Sequence, residues 1–282
     1  RENEPNFYRR SFALQHVISE DLLKAYDVPG PRYTSYPTAD RFVEAFGPDQ
    51  FRAVLAQRRE QRSASPLSVY IHVPFCESVC YYCACNKVVT KHHSKAAEYL
   101  HYLSKELDLV AQDLGSGQRI SQLHLGGGTP TFLSMAEMDD LMSMVRRHFE
   151  LVPGGEYSIE IDPRTVSRDR LKHLMSIGFN RLSFGVQDFD PVVQQAVHRV
   201  QPYAQVAELM AWSREIGFDS INLDLIYGLP MQTPESFART LEQVNSLRPD
   251  RIALYGYAHL PNRFKPQRRI IEAELPTGAN KL

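Results

Sequence analysis

The sequence predicts an α/β fold, in which six parallel strands form a partial barrel with helices on the outside. The first observation behind this prediction is an alternation, from about residue 67 onward, of short apolar runs with segments of helical periodicity. Strand–helix alternation of this kind is typical of parallel sheets covered by helices. The second observation is that each unusual motif follows the C-terminal end of a predicted strand, the edge at which β/α barrels place their sites. Six repeats rather than eight favour an open barrel.

Six apolar runs of strand length are the predicted strands: Leu67–Val73, Ile120–Leu125, Tyr157–Ile161, Arg181–Phe184, Ile221–Ile226 and Ile252–Tyr255. Five segments between them are the predicted helices: Ser94–Leu114, Ser134–Phe149, Ser167–Ile177, Tyr203–Ile216 and Pro234–Leu247. Ser134 and Glu137 match a capping box at one helix start. Asp190-Pro191 and Thr233-Pro234 each place a cap before an N1 proline.

The chain divides into three predicted regions: an N-terminal arm at 1–65, the partial barrel at 66–262 and a short further region at 263–282. The arm contains Gly30–Thr38, which is too rich in turn formers to be a helix or a central strand. This segment fits either a strap laid across another surface or a plain connector. Because the chain begins at Arg1 and ends soon after a Pro-Thr-Gly turn, we expect it to be a fragment of a longer protein.

The composition excludes several classes of function. With 282 residues, 43% of them hydrophobic, the chain is long enough to bury a large core. A net charge of −1 gives no basic field, so no nucleic acid is expected as a partner. No apolar run approaches the roughly 20 residues of a membrane span. Four thiols without a signal-peptide pattern predict a cytoplasmic location.

All four cysteines lie within ten residues, as Cys76, Cys80, Cys83 and Cys85. The C-x3-C-x2-C spacing lets one loop place three thiolates around a single metal cluster, and iron–sulfur clusters are usually held by cysteine thiolates. Three ligands leave one iron of a four-iron cluster open, which favours a catalytic role. A structural zinc site is the less favoured alternative, because it usually uses cysteine pairs separated by a spacer. Disulfides are less favoured still, because cysteines this close rarely meet bridge geometry.

The other predicted strands also end in distinctive motifs: Gly126–Pro130, Glu160–Pro163, Gly185–Asp188, Asp224–Pro230 and Tyr255–His259. Glycines after a strand let main-chain N–H groups approach a charged ligand closely. A tight glycine turn without a ligand is the alternative. Since parallel strands end at one edge, these loops are expected to build a single site.

These residues resemble radical S-adenosylmethionine (SAM) enzymes, and more narrowly the family of oxygen-independent coproporphyrinogen III oxidases. The cysteine loop alone matches only the radical SAM pattern, whereas Cys85 and the arm segment are more specific to the oxidases. The matching stretches cover almost the whole chain: Gly30–Thr38, Tyr70–Lys87, His124–Thr131, Ile159–Arg164, Gly178–Phe189, Asn222–Pro230 and Tyr257–Pro261. The resemblance implies a partial (β/α)6 barrel of radical SAM type. It also implies that a helical C-terminal domain found in the family is absent here.

The resemblance assigns roles to individual residues. It implies a [4Fe-4S] cluster on Cys76, Cys80 and Cys83, with Cys85 as a non-ligand that has a catalytic or substrate role. One SAM would be contacted by Tyr70, Gly127 and Glu160. A second SAM would be contacted by Tyr82, Gly128, Thr129, Gln187, Arg199, Asp224 and Ala258.

Two of these assignments carry further expectations. Arg199 would pair through its planar fork with the methionine carboxylate of the second SAM. The family often has Phe at the position of Tyr82, and a ring that packs on a ligand there tolerates the added hydroxyl if that hydroxyl reaches water.

The implied reaction is the oxidative decarboxylation of two propionates of coproporphyrinogen III to vinyl groups, which gives protoporphyrinogen IX in haem and porphyrin biosynthesis. It would use a 5′-deoxyadenosyl radical from SAM and an electron donor such as flavodoxin or ferredoxin, in a monomeric enzyme. Four arginines are available to bind the substrate carboxylates: Arg32, Arg263, Arg268 and Arg269. The alternatives are a haem-chaperone-like radical SAM protein that binds haem without this activity, and a radical SAM enzyme with another substrate.

Overall fold

A computed structural model describes residues 41–61 and 65–280, together with Asp21, Ala25 and Thr38. Six parallel strands form one sheet in the order β1-β4-β5-β6-β7-β8. Their bounds are β1 Leu67–Val73, β4 Gln118–Gly127, β5 Phe149–Ile161, β6 Arg181–Gln187, β7 Ser220–Tyr227 and β8 Arg251–Gly256. Two short strands, β2 Phe75–Cys76 and β3 Val88–Val89, pair separately beside the end of β1.

The helices of the described chain follow the strands in alternation. Their bounds are α1 Pro48–Glu60, α2 Ser94–Leu114, α3 Met135–His148, α4 Arg168–Ser176, α5 Pro191–Ala196, α6 Tyr203–Ile216 and α7 Pro234–Leu247. None of these helices is long and apolar enough to cross a membrane. The predicted parallel half-barrel is therefore confirmed, with every predicted strand and helix present.

The differences from the predicted elements have local causes. Strand β4 runs two residues past Leu125 because its glycines continue the parallel pairing with Val73. The predicted helix over Ser134–Phe149 ends one residue early, since Phe149 already has extended backbone and starts β5. Helix α1 lies within the region predicted as an arm. The Gly30–Thr38 segment lies outside the described residues except for Thr38.

Alternation along the strands separates the core from the site. Side chains of successive strand residues point to opposite faces, so each strand has one apolar and one polar face here. On the central strands β4 to β7 the apolar face is fully buried under the helices, whereas Ile252 and Leu254 of the edge strand β8 are exposed. The buried set includes Leu123, Leu125, Ile159, Leu182, Phe184 and Leu223. The polar face carries the intervening residues, which pair laterally as His124 with Ser158 and Glu160 with Ser183. The register therefore sets a row of polar side chains across the inner face of the half-barrel.

Candidate functional site

A cavity of about 1290 Å³ opens at the C-terminal ends of the strands. Thirteen of the fourteen predicted site residues line it: Cys76, Cys80, Cys83, Cys85, Tyr82, Gly127, Gly128, Thr129, Glu160, Gln187, Arg199, Asp224 and Ala258. Tyr70 does not line it. Loops from β1 and from β4 to β8 thus meet at one place, as expected for the carboxyl edge of a parallel sheet.

The cysteine loop is fixed at both ends by backbone pairing. Its first cysteine, Cys76, belongs to β2, and β3 returns beside it so that the loop closes. Lys87 donates through Nζ to the carbonyl of Cys83 at 3.0 Å. The amide of Tyr81 donates to the carbonyl of Val197 at 2.9 Å, which ties the loop to the far side of the cavity. The cysteines are therefore held by contacts on both sides of the mouth.

The four thiols differ in their surroundings. All are free cysteines; Cys80 is buried, Cys76 and Cys83 are half-buried, and Cys85 is exposed. A side-chain hydrogen bond from Cys85 outweighs burial and lowers the pKa of Cys83 to about 5. Within the described residues, no three His, Cys, Asp or Glu side chains converge closely enough for a single metal ion.

The glycines after β4 are required by close packing. Gly127 has φ +117°, and a Cβ at this position would lie 2.7 Å from the His72 ring. A Cβ on Gly128 would lie 2.6 Å from the carbonyl oxygen of Phe75. The two residues therefore let β4 approach the start of the cysteine loop.

The amides of this segment have protein acceptors in the structure. Gly127 donates to Glu160 Oε2 at 3.0 Å, Gly128 to the carbonyl of Val73 at 2.9 Å and Thr129 to that of Phe75 at 2.7 Å. These bonds satisfy the amides where the turn is buried. The role of the three residues as ligand contacts stays a prediction.

Glu160 and Tyr70 lie on either side of Gly126. A Cβ on Gly126 would be 2.8 Å from Glu160 Oε1 and 3.0 Å from the Tyr70 ring. Glu160 also lies 3.3 Å from Nε2 of His124, and the His124 ring stacks on Tyr70 with ring centroids 5.8 Å apart. The Tyr70 hydroxyl lies 2.9 Å from Nδ1 of His72. Tyr70 is thus beside the predicted first SAM site without facing the cavity itself.

On the cysteine side, Asp162 lies between two arginines. Arg164 bonds both of its carboxylate oxygens, with Nε 2.9 Å from Oδ1 and Nη2 2.6 Å from Oδ2. Arg199 Nη1 is 3.2 Å from Oδ2. Burial raises the pKa of Asp162, but the two guanidinium charges outweigh it, so the pKa is lowered overall. No role for Asp162 or Arg164 was predicted from the sequence: the Arg199–Asp162 contact spans 37 residues and leaves no local signal, and the bond between Arg164 and Asp162, two residues apart, was not anticipated.

Arg199 also has one N–H donor that the contacts described in the structure do not use. Its Nη2 donates to the carbonyl of Gly185 at 2.6 Å and its Nη1 lies 3.5 Å from Cys80 Sγ. Its Nε is buried and has no hydrogen-bond partner in the part of the chain that the structure describes. An unpaired buried donor is costly, so it is a place where a ligand acceptor is expected.

Asp224 lies in β7, and its hydrogen-bond partners among the described residues are neutral. Ser183 Oγ donates to Oδ2 at 3.1 Å and Asn222 Nδ2 donates to Oδ1 at 2.8 Å. Burial raises the pKa of Asp224 to about 6, and the Glu160 charge adds to this while the two hydrogen bonds oppose it. Ser183 and Asn222 were not singled out from the sequence. Both lie on predicted strands, at positions that share a face of the sheet with Asp224. That shared face was the signal available in the sequence.

Gln187 ends β6 in an unusual conformation. It has φ +70°, which is strained for a residue with a side chain. The next residue, Asp188, is almost fully buried and accepts from Gln232 Nε2 at 2.6 Å and Thr240 Oγ1 at 2.5 Å. These bonds hold the turn and leave Gln187 on the cavity wall.

Tyr82 and Ala258 come together across the mouth. The buried side chain of Gln267 donates through Nε2 to the carbonyl of Tyr82 at 3.0 Å and of Ala258 at 3.1 Å. The Tyr82 ring packs on Val193, Val197 and Leu229. The sequence left open whether its hydroxyl reaches water. Burial, together with the nearby Cys80, raises the pKa of Tyr82 well above its ordinary value, while the Arg199 charge opposes this.

The candidate carboxylate-binding arginines lie around the cavity rather than in it. Arg263 lines a smaller pocket of about 480 Å³ that shares Cys85 with the main cavity. Arg268 donates to the carbonyl of Pro261 at 3.0 Å, and Arg269 lies 5.2 Å from the centre of the Tyr81 ring. Arg32 lies outside the described residues. Of the three candidates that the structure describes, Arg263 is the one that lines a pocket adjoining the main cavity.

Comparisons with known proteins agree with this geometry. A sequence model of the radical SAM superfamily matches residues 70–244. An oxygen-independent coproporphyrinogen III oxidase from Pseudomonas aeruginosa is 51% identical, over 93% of this chain and 57% of its own length. The enzyme of that name from Escherichia coli is 49% identical, over 93% of this chain and 56% of its own length.

The solved structures give the same result. The coproporphyrinogen III oxidase from Escherichia coli, described as a radical SAM enzyme, matches with a TM-score of 0.83 at 49% identity. The match covers 88% of this chain and 56% of that structure. The chain therefore spans somewhat more than half the length of the relatives that it matches.

Proposed function

Because the chain belongs to the radical SAM superfamily, a family that implies a [4Fe-4S] cluster and SAM, we propose that it acts in the oxygen-independent oxidation of coproporphyrinogen III. The observation that carries the proposal is the convergence of three suitably spaced cysteines with charged strand-end residues on one cavity. The names of relatives that are about half identical give the substrate class. In this reading the reaction converts two propionates to vinyl groups and gives protoporphyrinogen IX in haem biosynthesis.

The cluster would be held by Cys76, Cys80 and Cys83. Their loop is fixed by β2–β3 pairing and by Lys87, so the thiolates need little rearrangement. When bound, the cluster and SAM supply a 5′-deoxyadenosyl radical that can abstract hydrogen from a propionate. The protein's part is to bind, orient and exclude water at the closed end of the half-barrel.

Two SAM molecules fit the division of charge in the cavity. Glu160, flanked by Tyr70, offers a carboxylate to the amino group or ribose of the first. Arg199, through its unpaired Nε, offers a donor to the carboxylate of the second. Asp224 and Gln187 offer polar contacts on the same wall. Cys85, exposed at the junction with the Arg263 pocket, has access to substrate.

We further propose an electron donor, a cellular location and an oligomeric state. A one-electron donor such as flavodoxin or ferredoxin would reduce the cluster, and the protein would work as a cytoplasmic monomer. The haem-chaperone alternative is not favoured, because the relatives are named as oxidases and because Cys85 and the arm segment, which favour the oxidases, are both present.

The direct test is an anaerobic assay of reconstituted protein with SAM, a chemical reductant and coproporphyrinogen III. We expect 5′-deoxyadenosine to form in a cysteine-dependent manner and to increase with coproporphyrinogen III, with vinyl products seen by porphyrin fluorescence after oxidation. A matched Cys76→Ser protein should form neither. Stoichiometric uptake of haem without consumption of SAM would contradict the proposal and support the chaperone alternative.

A further inference from the structure

The buried group formed by Arg164, Asp162 and Arg199, here called the Asp162 triad, carries an unbalanced charge. Two guanidinium groups remain protonated in proteins, whereas the single carboxylate supplies one negative charge. Both Asp162 and Arg199 are less than 10% exposed. Burying a net charge is expensive unless a further group of opposite charge lies beside it. The triad therefore requires an anionic neighbour.

That neighbour is the sulfur of Cys80. Arg199 Nη1 lies 3.5 Å from Cys80 Sγ, and Arg164 Nη2 lies 3.8 Å from the same atom. Arg164 Nη2 also lies 3.4 Å from Ser78 Oγ, so this arginine contacts the cysteine loop at two points. As a ligand of the proposed cluster, Cys80 would be a thiolate and would supply the negative charge that the triad lacks.

The approach of the two arginines is fixed by the fold. Asp162 follows the last residue of β5, and its Oδ1 accepts the backbone amide of Arg164 at 3.1 Å, which sets the short turn Pro163–Thr165. Arg199 enters from the segment after α5 and is held by the carbonyl of Gly185. Two independent segments thus aim cations at one sulfur.

Among the described residues, the other two proposed ligand cysteines have no guanidinium group at the sulfur. Cys76 Sγ accepts from the neutral hydroxyl of Thr129 at 3.7 Å. The cation beside Cys83 is Lys87, which donates to the carbonyl oxygen at 3.0 Å and whose charge also acts on the thiol. Cys80 is therefore the sulfur of the loop that two guanidinium groups contact.

We propose that the Asp162 triad raises the reduction potential of the cluster through Cys80, and that Arg164 is a positioning residue in this triad. This inference rests on the proposed cluster site. Hydrogen bonds to ligand sulfurs are one of the factors that set the potentials of iron–sulfur clusters. Reduction adds negative charge to the cluster, so cationic donors at a ligand sulfur stabilise the reduced state. Removing one of them should lower the potential.

The experiment compares three variants of the reconstituted protein by EPR-monitored redox titration without SAM or substrate. Arg164→Gln removes the charge and keeps much of the side-chain length, whereas Arg164→Lys keeps the charge. Arg168→Gln is the matched control, since Arg168 pairs with Glu215 at 2.7 Å on the exposed surface. We expect the midpoint potential to shift to more negative values in Arg164→Gln, to stay near that of the unmodified protein in Arg164→Lys, and to be unchanged in Arg168→Gln.

The outcomes separate this inference from the proposed function. An unmodified protein that assembles no four-iron signal would refute the proposed cluster site itself. With that signal present, equal potentials in Arg164→Gln and the unmodified protein would overturn the role of the triad. Loss of the cluster from Arg164→Gln, with the cluster retained in Arg164→Lys, would support the inference, because the cluster would then depend on the positive charge at this position. Its loss from both Arg164 variants would overturn the inference, because shape rather than charge would then be required.

Discussion

Two aspartates that line the cavity, Asp162 after β5 and Asp224 in β7, have opposite electrostatic environments. Asp162 lies between two guanidinium groups, which hold its pKa low despite burial. Among the described residues, Asp224 is bonded to a hydroxyl and an amide; burial raises its pKa to about 6, and the Glu160 charge adds to this. The comparison shows how one half-barrel mouth divides its charge: guanidinium groups on the wall beside the cysteines and Asp162, and the carboxylates of Glu160 and Asp224 on the wall formed by the inner faces of β5 and β7. A zwitterionic ligand with a sulfonium group, such as SAM, matches such a division.

The largest expected effect lies on the cysteine wall. Changing Cys76, Cys80 or Cys83 to Ser should prevent stable assembly of a four-iron cluster, because each change removes one of three ligand thiolates. Cys85→Ser should retain the cluster and lose turnover. The measurements are the iron and sulfide content and the EPR spectrum of each variant after anaerobic reconstitution. An equal loss of iron in all four variants would refute the assignment of Cys85 as a non-ligand.

The next effect concerns the stability of the Asp162 wall. Asp162→Asn leaves two buried guanidinium groups without their carboxylate, and breaking a buried ion pair in this way costs about 3–5 kcal/mol. The free energy of unfolding of the apo-protein, from urea denaturation, should fall by that order. Asp224→Asn is the matched control on the other wall and should change it far less. An equal fall in the free energy of unfolding for Asp162→Asn and Asp224→Asn would contradict the stated difference between the two aspartates.

Ligand binding at the cationic wall should show an intermediate effect. In Arg199→Gln, the carboxylate of a second SAM loses its charged donor, which costs about 1–3 kcal/mol and so about ten- to a hundredfold in affinity. Equilibrium binding of labelled SAM should then show one tight site where the unmodified protein shows two. Two sites of undiminished affinity would exclude Arg199 from the second one.

The smallest effect is a pH dependence on the Asp224 wall. The pKa of Asp224 is about 6 in the folded state against an ordinary value of 3.8, so the folded state binds the additional proton between these values. Stability from this group is therefore gained as the pH falls from about 7 to 4 and lost as it rises again, by about 2 kcal/mol. Asp162, whose pKa is lowered, contributes with the opposite sign.

The Asn variant at Asp224 isolates this contribution. Thermal unfolding at a series of pH values should show that Asp224→Asn lacks the gain at low pH and is at least as stable as the unmodified protein at pH values above 7. Parallel curves for the two proteins across this range would contradict the raised pKa.

The sequence predicted what depends on local pattern. Motifs at the ends of predicted strands placed Glu160 and Asp224 at the expected site, and the spacing of Cys76, Cys80 and Cys83 put three thiols in one loop beside them. The triad was missed because Arg199 meets Asp162 across 37 residues. The Gln267 bond to the carbonyl of Tyr82 spans 185 residues and likewise had no local signal. Such contacts depend on the closure of the half-barrel and not on periodicity or spacing.

The expected role of the glycines after β4 was incomplete for a related reason. Gly127 and Gly128 fit the pattern of a ligand cradle, but their amides donate to Glu160 and to the carbonyl of Val73. Which acceptor a backbone amide finds depends on the neighbouring strand and its side chains. The sequence showed that the backbone comes close to something at this point, and the structure shows that it is the cysteine loop and Glu160.

The most direct test of the account is the EPR spectrum of the anaerobically reconstituted, reduced protein before and after addition of SAM. If Cys76, Cys80 and Cys83 leave one iron open towards the cavity, SAM should change the g-values of a four-iron signal, and Cys85→Ser should show the same change. A four-iron signal that SAM leaves unaltered would contradict the account, because the cluster would then have no open site facing the cavity.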